Sequence, residues 1–256
     1  MQRKRRSGTV AKSPGERVTI DRVSPAAEPS ADSIASQFDA VLAQRHVVAD
    51  ASQRAAIARL VHLADELSRF RVARQSTLKR LFAPPEVPRG VYLWGSVGTG
   101  KSLLMDAFFA VLPIRRKTRV HFHAFMRDVH VELATLSREE DPLAIVAARI
   151  ARRSRLIAFD EFHVSDVADA MILGRLLTHL FTQGVVLVMT SNYEPGDLWP
   201  QGLNRQRFLP TIALLREWLD VVEVDGGTDY RLRTLSQVPG YFVPADGAAD
   251  DAMAAA

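Results

Sequence analysis

The chain of 256 residues carries 33 Lys+Arg against 29 Asp+Glu, is 47% hydrophobic and contains no cysteine, a composition that suits one large or two small globular domains. The missing cysteines exclude disulfides, thiolate zinc sites, iron–sulfur clusters and cysteine nucleophiles, and the longest apolar run near a strand pattern, Val185 to Met189, is far below the ~18 residues of a membrane-spanning helix. The formal net charge of +4 is concentrated at the start: residues 1–22 hold seven basic and two acidic side chains, and the rest of the chain sums to −1.

In chain order, residues 1–49 read as a basic, mostly disordered lead-in, rich in Ser, Ala and Pro and poor in large apolar side chains. Its Arg-rich arm reads as a solvated, disordered end, the alternative being contact with nucleic acid or acidic lipid. Ser7 to Pro14 lacks the apolar stretch of a secretory signal. Within this lead-in, Ile34, Phe38, Val41 and Leu42 have helical spacing and predict one helical turn packed on the body. Residues 50–89 read as a helical N-terminal extension. Ile57, Leu60, Val61, Ala64, Leu67 and Phe70 form one apolar face of a helix of about five turns, which ends before Pro84, Pro85 and Pro88.

From Gly90 to residue 233 short apolar strands alternate with helical patterns. Strands are expected at Val91 to Trp94, Arg119 to Phe125, Leu156 to Phe159, Gly184 to Thr190 and Val221 to Val224; helices follow Ser102, Val129, Leu143, Asp166 and Phe208. That alternation predicts an α/β fold with a five-stranded parallel sheet covered on both faces. Residues 234–256 read as a short, disordered Ala/Asp-rich tail.

Gly95-Ser96-Val97-Gly98-Thr99-Gly100-Lys101-Ser102 fits G-x-x-x-x-G-K-[ST] between a predicted strand and helix. Such a loop turns its N–H groups onto phosphate oxygens at a helix N-terminus, with Lys101 reaching the β- and γ-phosphates and the Ser102 hydroxyl on Mg²⁺. Leu156 to Phe159 ends in Asp160-Glu161; Asp160 is the expected Mg²⁺ ligand and Glu161 the group that polarises the attacking water. A second acid at that point favours hydrolysis of ATP over transfer to an acceptor. Thr190-Ser191-Asn192 closes the next strand, and Asn192 is placed to orient the water. Gly202 to Pro210 contains Arg205 and Arg207; Arg205 is the first choice, and Arg207 the second, for an arginine acting on a neighbouring subunit's γ-phosphate, which requires a homo-oligomer. His121, His123 and His130 suggest packing and hydrogen bonding rather than a metal site, and Asp166 with Asp169 reads as a helix start.

With Gly90 to Ser102, Arg119 to Met126 and His130, Phe159 to Asp166, Asp169 to Arg175, Thr190 to Asn192, Gly202-Leu203 with Arg205, Phe208 to Pro210 and Asp229 to Arg231 together, the chain resembles the ZapE-type ATPases of the AAA+ class, a family of bacterial cell-division ATPases and mitochondrial inner-membrane relatives. The His-Phe-His and Asp-Glu-Phe blocks carry the likeness beyond a generic phosphate loop. The resemblance implies Mg-ATP hydrolysis, a cytoplasmic location and contact with the division-ring protein FtsZ. After Arg231 the sequence departs from the family pattern, so the helical lid of an AAA+ core is expected to be absent or shortened. A nucleotide-gated binding module with little turnover, and a helicase-loader-like ATPase using the basic arm on nucleic acid, are the competing readings.

Overall fold

The computed structural model describes residues 31–44, 49–75 and 86–225; the basic arm and the C-terminal tail, and with it the expectation of an absent or shortened lid, lie outside them. Strands β1 (Gly90–Trp94), β2 (Lys117–His121), β3 (Leu156–Asp160), β4 (Val186–Ser191) and β5 (Leu219–Glu223) form one parallel sheet in the order β2-β3-β4-β1-β5. The all-apolar runs take the centre. All five residues of β3 and all six of β4 are buried, whereas edge strands β2 and β5 are half exposed along their length. This is the division expected when helices cover both faces of a parallel sheet.

Helices α1 (Ala31–Gln44), α2 (Ala51–Gln75) and α3 (Lys101–Val111) cover one face, with Phe38, Leu60 and Phe108 against Val91, Leu93 and Val188. The other face carries α4 (Phe122–Thr135), α5 (Pro142–Arg153), α6 (Val167–Thr182) and α7 (Arg205–Trp218), with Phe122, Leu173 and Leu215 against Tyr92, Phe159 and Leu187. The predicted starts of α5 and α6 are true caps: the Asp141 side chain accepts from Ala144 N at 3.2 Å and that of Asp166 from Ala168 N at 2.6 Å. A five-stranded parallel αβα core results, as the alternating pattern predicts.

Three local expectations are corrected. The second strand ends at His121 rather than Phe125, and a helix begins at Phe122. Phe122, Phe125, Met126 and Val129 recur at helical spacing, and all four are buried; on a strand, that set would be split between two faces. His121 is therefore the last residue of the strand, and His123 lies on the helix. Secondly, α1 has 14 residues rather than one turn, because Ile34, Phe38 and Leu42 together give a buried stripe inside the expected disordered lead-in. Thirdly, α2 runs for 25 residues, longer than five turns, and ends at Gln75. Among the described residues no helix is long and apolar enough to cross a membrane.

Phe38 is fully buried between α1 and the body. Its replacement by Ala is expected to cost about 3–5 kcal/mol, a fall in melting temperature of roughly 6–20 °C for a domain of this size. Thermal unfolding followed by circular dichroism tests this; a shift below about 2 °C would show that α1 adds nothing to the core.

Candidate functional site

The loop after β1 turns back on itself because three of its glycines take positive φ: 151° at Gly95, 89° at Gly98 and 86° at Gly100. At Gly95 the requirement is also steric, since a Cβ there would lie 2.2 Å from the Val224 carbonyl oxygen at the end of β5. Gly100 then caps α3, whose first residue is Lys101. The Lys101 side chain is buried, and Nζ donates to the carbonyls of Gly95 at 2.7 Å and Ser96 at 2.6 Å. A buried ammonium needs such partners, and here the loop itself supplies them.

Strand order brings the remaining residues to this loop. β4 lies between β1 and β3, so the ends of all three strands face the start of α3. The Ser102 hydroxyl donates to Asp160 Oδ1 at 2.9 Å, and the Thr190 hydroxyl donates to the same oxygen at 2.9 Å. The other oxygen, Oδ2, accepts from Arg119 Nη2 at 2.7 Å, and Arg119 also pairs with Asp106 of α3. Burial pushes the Asp160 carboxyl up, but the Thr190 and Ser102 hydroxyls and the Arg119 guanidinium outweigh it and hold the group below its ordinary value.

Glu161, the next residue, has opposite surroundings. Its side chain is 78% exposed, with His121 Nδ1 4.0 Å from Oε2. Its backbone sits at φ 54°, a conformation uncommon outside glycine. Two contacts with β4 hold it there: Glu161 N donates to Thr190 Oγ1 at 3.1 Å, and Phe162 N donates to Thr190 O at 2.7 Å.

Lys101, Ser102, Glu161 and Asn192, with Val97 and Gly98, line a cleft of about 290 Å³ over the loop. The sequence-predicted residues thus meet in one place, with the exception of the arginines. Arg205 Nη1 donates to the carbonyls of Leu198 at 2.7 Å and Trp199 at 2.9 Å, and Nη2 to that of Gly196 at 2.9 Å. Arg207 is exposed and lines a separate groove beside Arg175. His130 Nε2 lies 2.7 Å from Asp169 Oδ1, and among the described residues no group of three or more His, Cys, Asp or Glu side chains is arranged to hold a metal ion.

Two partners of the site escaped the sequence reading. Arg119 lies in a strand whose motif draws attention to its histidines. Gln53 is the other: its Nε2 donates to the Thr99 carbonyl at 2.9 Å, while its backbone N donates to Asp50 Oδ1 at 2.8 Å and its Oε1 accepts from Asp50 N at 3.1 Å. This is a reciprocal capping box at the start of α2, docked on the phosphate loop. The spacing Asp50-x-x-Gln53 carries the signal for the cap, though not for its contact across the fold.

The sequence profile of the AFG1-like ATPase family matches residues 33–256. The cell division protein ZapE of Escherichia coli is 51% identical over 156 residues, covering 61% of this chain and 42% of that protein. Lactation elevated protein 1 homolog B of Danio rerio is 42% identical over 181 residues, covering 66% of this chain and 36% of its own length. The chain thus spans less than half the length of these relatives. Domain III of the Thermotoga maritima replication initiation protein DnaA matches in fold with a TM-score of 0.50 at 14% identity, over 71% of this chain and 65% of that one.

Because the folded-state value of Asp160 is depressed, its ionisation stabilises the fold above the unfolded value near 3.8 and that contribution is lost as pH falls through the lower folded value. Asp160→Asn is expected to flatten the acid limb of the stability curve below about pH 4. Urea unfolding between pH 3 and pH 7 measures it; parallel curves for parent and variant would contradict the assignment.

Proposed function

The chain belongs to the AFG1-like ATPase family, and from that premise we propose that it hydrolyses ATP in a Mg²⁺-dependent reaction and couples turnover to remodelling of a protein partner in cell division. The contact that carries the reading is the 2.9 Å hydrogen bond between Ser102 Oγ and Asp160 Oδ1. It brings a hydroxyl from the first turn of α3 and a carboxylate from the end of β3, both hard oxygen donors, to one point beside the phosphate cleft, which is the donor set Mg²⁺ prefers. Ser102 and Asp160 would hold the ion, which would supply neutralisation of charge on the phosphate oxygens.

The chain's own groups do the rest. N–H groups of Gly95, Ser96, Val97, Gly98, Thr99, Gly100 and Lys101 cradle the phosphates, and the Lys101 ammonium exchanges the Gly95 and Ser96 carbonyls for β- and γ-phosphate oxygens. Glu161 accepts a proton from the attacking water and Asn192 orients that water, in keeping with their shared place at the cleft. A neighbouring subunit supplies the arginine, so the working form is a homo-oligomer. Supporting Arg207 over Arg205 in that role is the use of the Arg205 guanidinium on three backbone carbonyls of its own chain, while Arg207 is exposed. FtsZ as the partner and a cytoplasmic location rest on family resemblance, and contact of the basic arm with nucleic acid rests on its charge.

Lys101→Ala is expected to weaken binding of a fluorescent ATP analogue at least about 100-fold, since a charge-assisted phosphate contact is lost. Glu161→Gln is expected to keep that affinity within about twofold and to lower kcat by about 10²–10⁴. Full turnover by Glu161→Gln would place the base elsewhere.

A further inference from the structure

The end of the sheet opposite the phosphate loop has its own electrostatics. Crossover helices run antiparallel to the strands of a parallel sheet, so their C-termini and unbonded carbonyls gather where the strands begin. Cations answer them. Arg116 Nη2 donates to Ala151 O at 2.7 Å and to Arg152 O at the end of α5. Lys117 Nζ donates to Leu112 O at 2.8 Å after α3, and Arg155 Nη1 to Gln183 O at 2.6 Å after α6.

The cations here exceed what capping requires. Arg74, Arg152 and Arg155 line a groove of about 470 Å³ between the ends of α2 and α5 and the α6–β4 turn, and no acidic residue lines it. Arg116 stands beside it and, like Arg152, is exposed. Among the described residues none of the four is ion-paired with a carboxylate. They act on one another instead: burial, then Arg74 and Arg116, depress the Arg155 guanidinium pKa. Convergent positive charge of this kind is relieved by an anion.

We propose that this groove binds the phosphate backbone of a single-stranded nucleic acid without reading its bases. Guanidinium forks match phosphate oxygens bidentately, and cations spread along an open groove suit a chain of phosphates better than one anion. At about 470 Å³ the groove is far too small to enclose a duplex. Arg74 covers one face of the Phe70 ring, its Cζ lying 5.4 Å from the ring centroid, so that face is closed to base stacking. A concave site with no exposed aromatic side chain is poorly shaped for a membrane surface.

The test is anisotropy of a fluorescein-labelled 20-nucleotide oligo(dT) with the full-length protein, at salt concentrations from 50 to 200 mM. Four phosphate contacts predict a slope of log K against log salt of about −3 for a single strand. Arg152→Glu is expected to weaken binding about tenfold or more and to lower the magnitude of the slope by about one, with ATP turnover and melting temperature unchanged; Arg74→Glu combined with it deepens the loss, and Arg152→Lys restores most of the affinity. Binding that is indifferent to Arg152 and Arg74, or abolished only when Arg3, Lys4, Arg5 and Arg6 are neutralised, overturns the proposal. So does Arg152-dependent capture by phosphatidylglycerol vesicles in the absence of oligonucleotide binding.

Discussion

The Ser102 hydroxyl can meet the Asp160 carboxylate only because β4 separates β1 from β3 in the sheet. Strands lie about 4.8 Å apart, so two strand spacings leave room above the sheet for the phosphate loop and the first turn of α3. A chain in which β1 and β3 paired directly would crowd that turn against the acid. The inserted strand also does chemistry at its end: the Thr190 hydroxyl donates to Asp160 Oδ1 and accepts from the backbone of Glu161. One side chain of β4 therefore fixes both the carboxylate proposed for the metal and the backbone of the proposed base. The hydrophobic faces of the sheet, the glycine turn and the helix start all serve this convergence.

Parallel topology imposes a second constraint, on charge. The carboxyl ends of the strands carry Asp160, Glu161 and Asp166, with Asp106 one α3 turn behind, while Arg74, Arg116, Lys117, Arg152 and Arg155 lie at the opposite end. A net charge of −1 for everything beyond residue 22 conceals this separation, because counting charges discards position. The helix dipoles rationalise part of it, since cations are favoured at helix C-termini. They do not require a groove with several guanidinium groups and no acid.

The phosphate loop, the paired acids and the five strands were legible because their signals are local: glycine spacing, an acid at the end of an apolar run, and alternation of strand and helix patterns. Errors arose where two periods overlap. Arg119 to Phe125 contains apolar residues that fit a strand when read alone, and only the continuation through Met126 and Val129 makes Phe122 the start of a helix. Contacts such as Gln53 to Thr99 and Arg119 to Asp160 join residues 46 and 41 positions apart, and no spacing rule in one sequence encodes them. Arg205 illustrates a different limit. Its residue type and position suit a trans arginine, yet the nearby carbonyls of Gly196, Leu198 and Trp199 offer it a local use that only geometry displays.

Asp160 and Glu161 are neighbours in sequence whose environments separate their roles. Both oxygens of Asp160 are occupied by hydroxyl or guanidinium donors, which fixes its rotamer and its charge. The Glu161 side chain stands in the open, and what is fixed is its backbone, held at positive φ by Thr190. Strain in this backbone region typically costs of order 1–3 kcal/mol and persists where the surroundings over-determine it. Relaxing Glu161 to an ordinary strand conformation would continue β3 and carry its side chain to the other side of the pleat, away from the cleft. The unusual φ therefore lets two consecutive residues serve one site: the first is locked by its side chain, and the second is aimed by its backbone and left free to meet water.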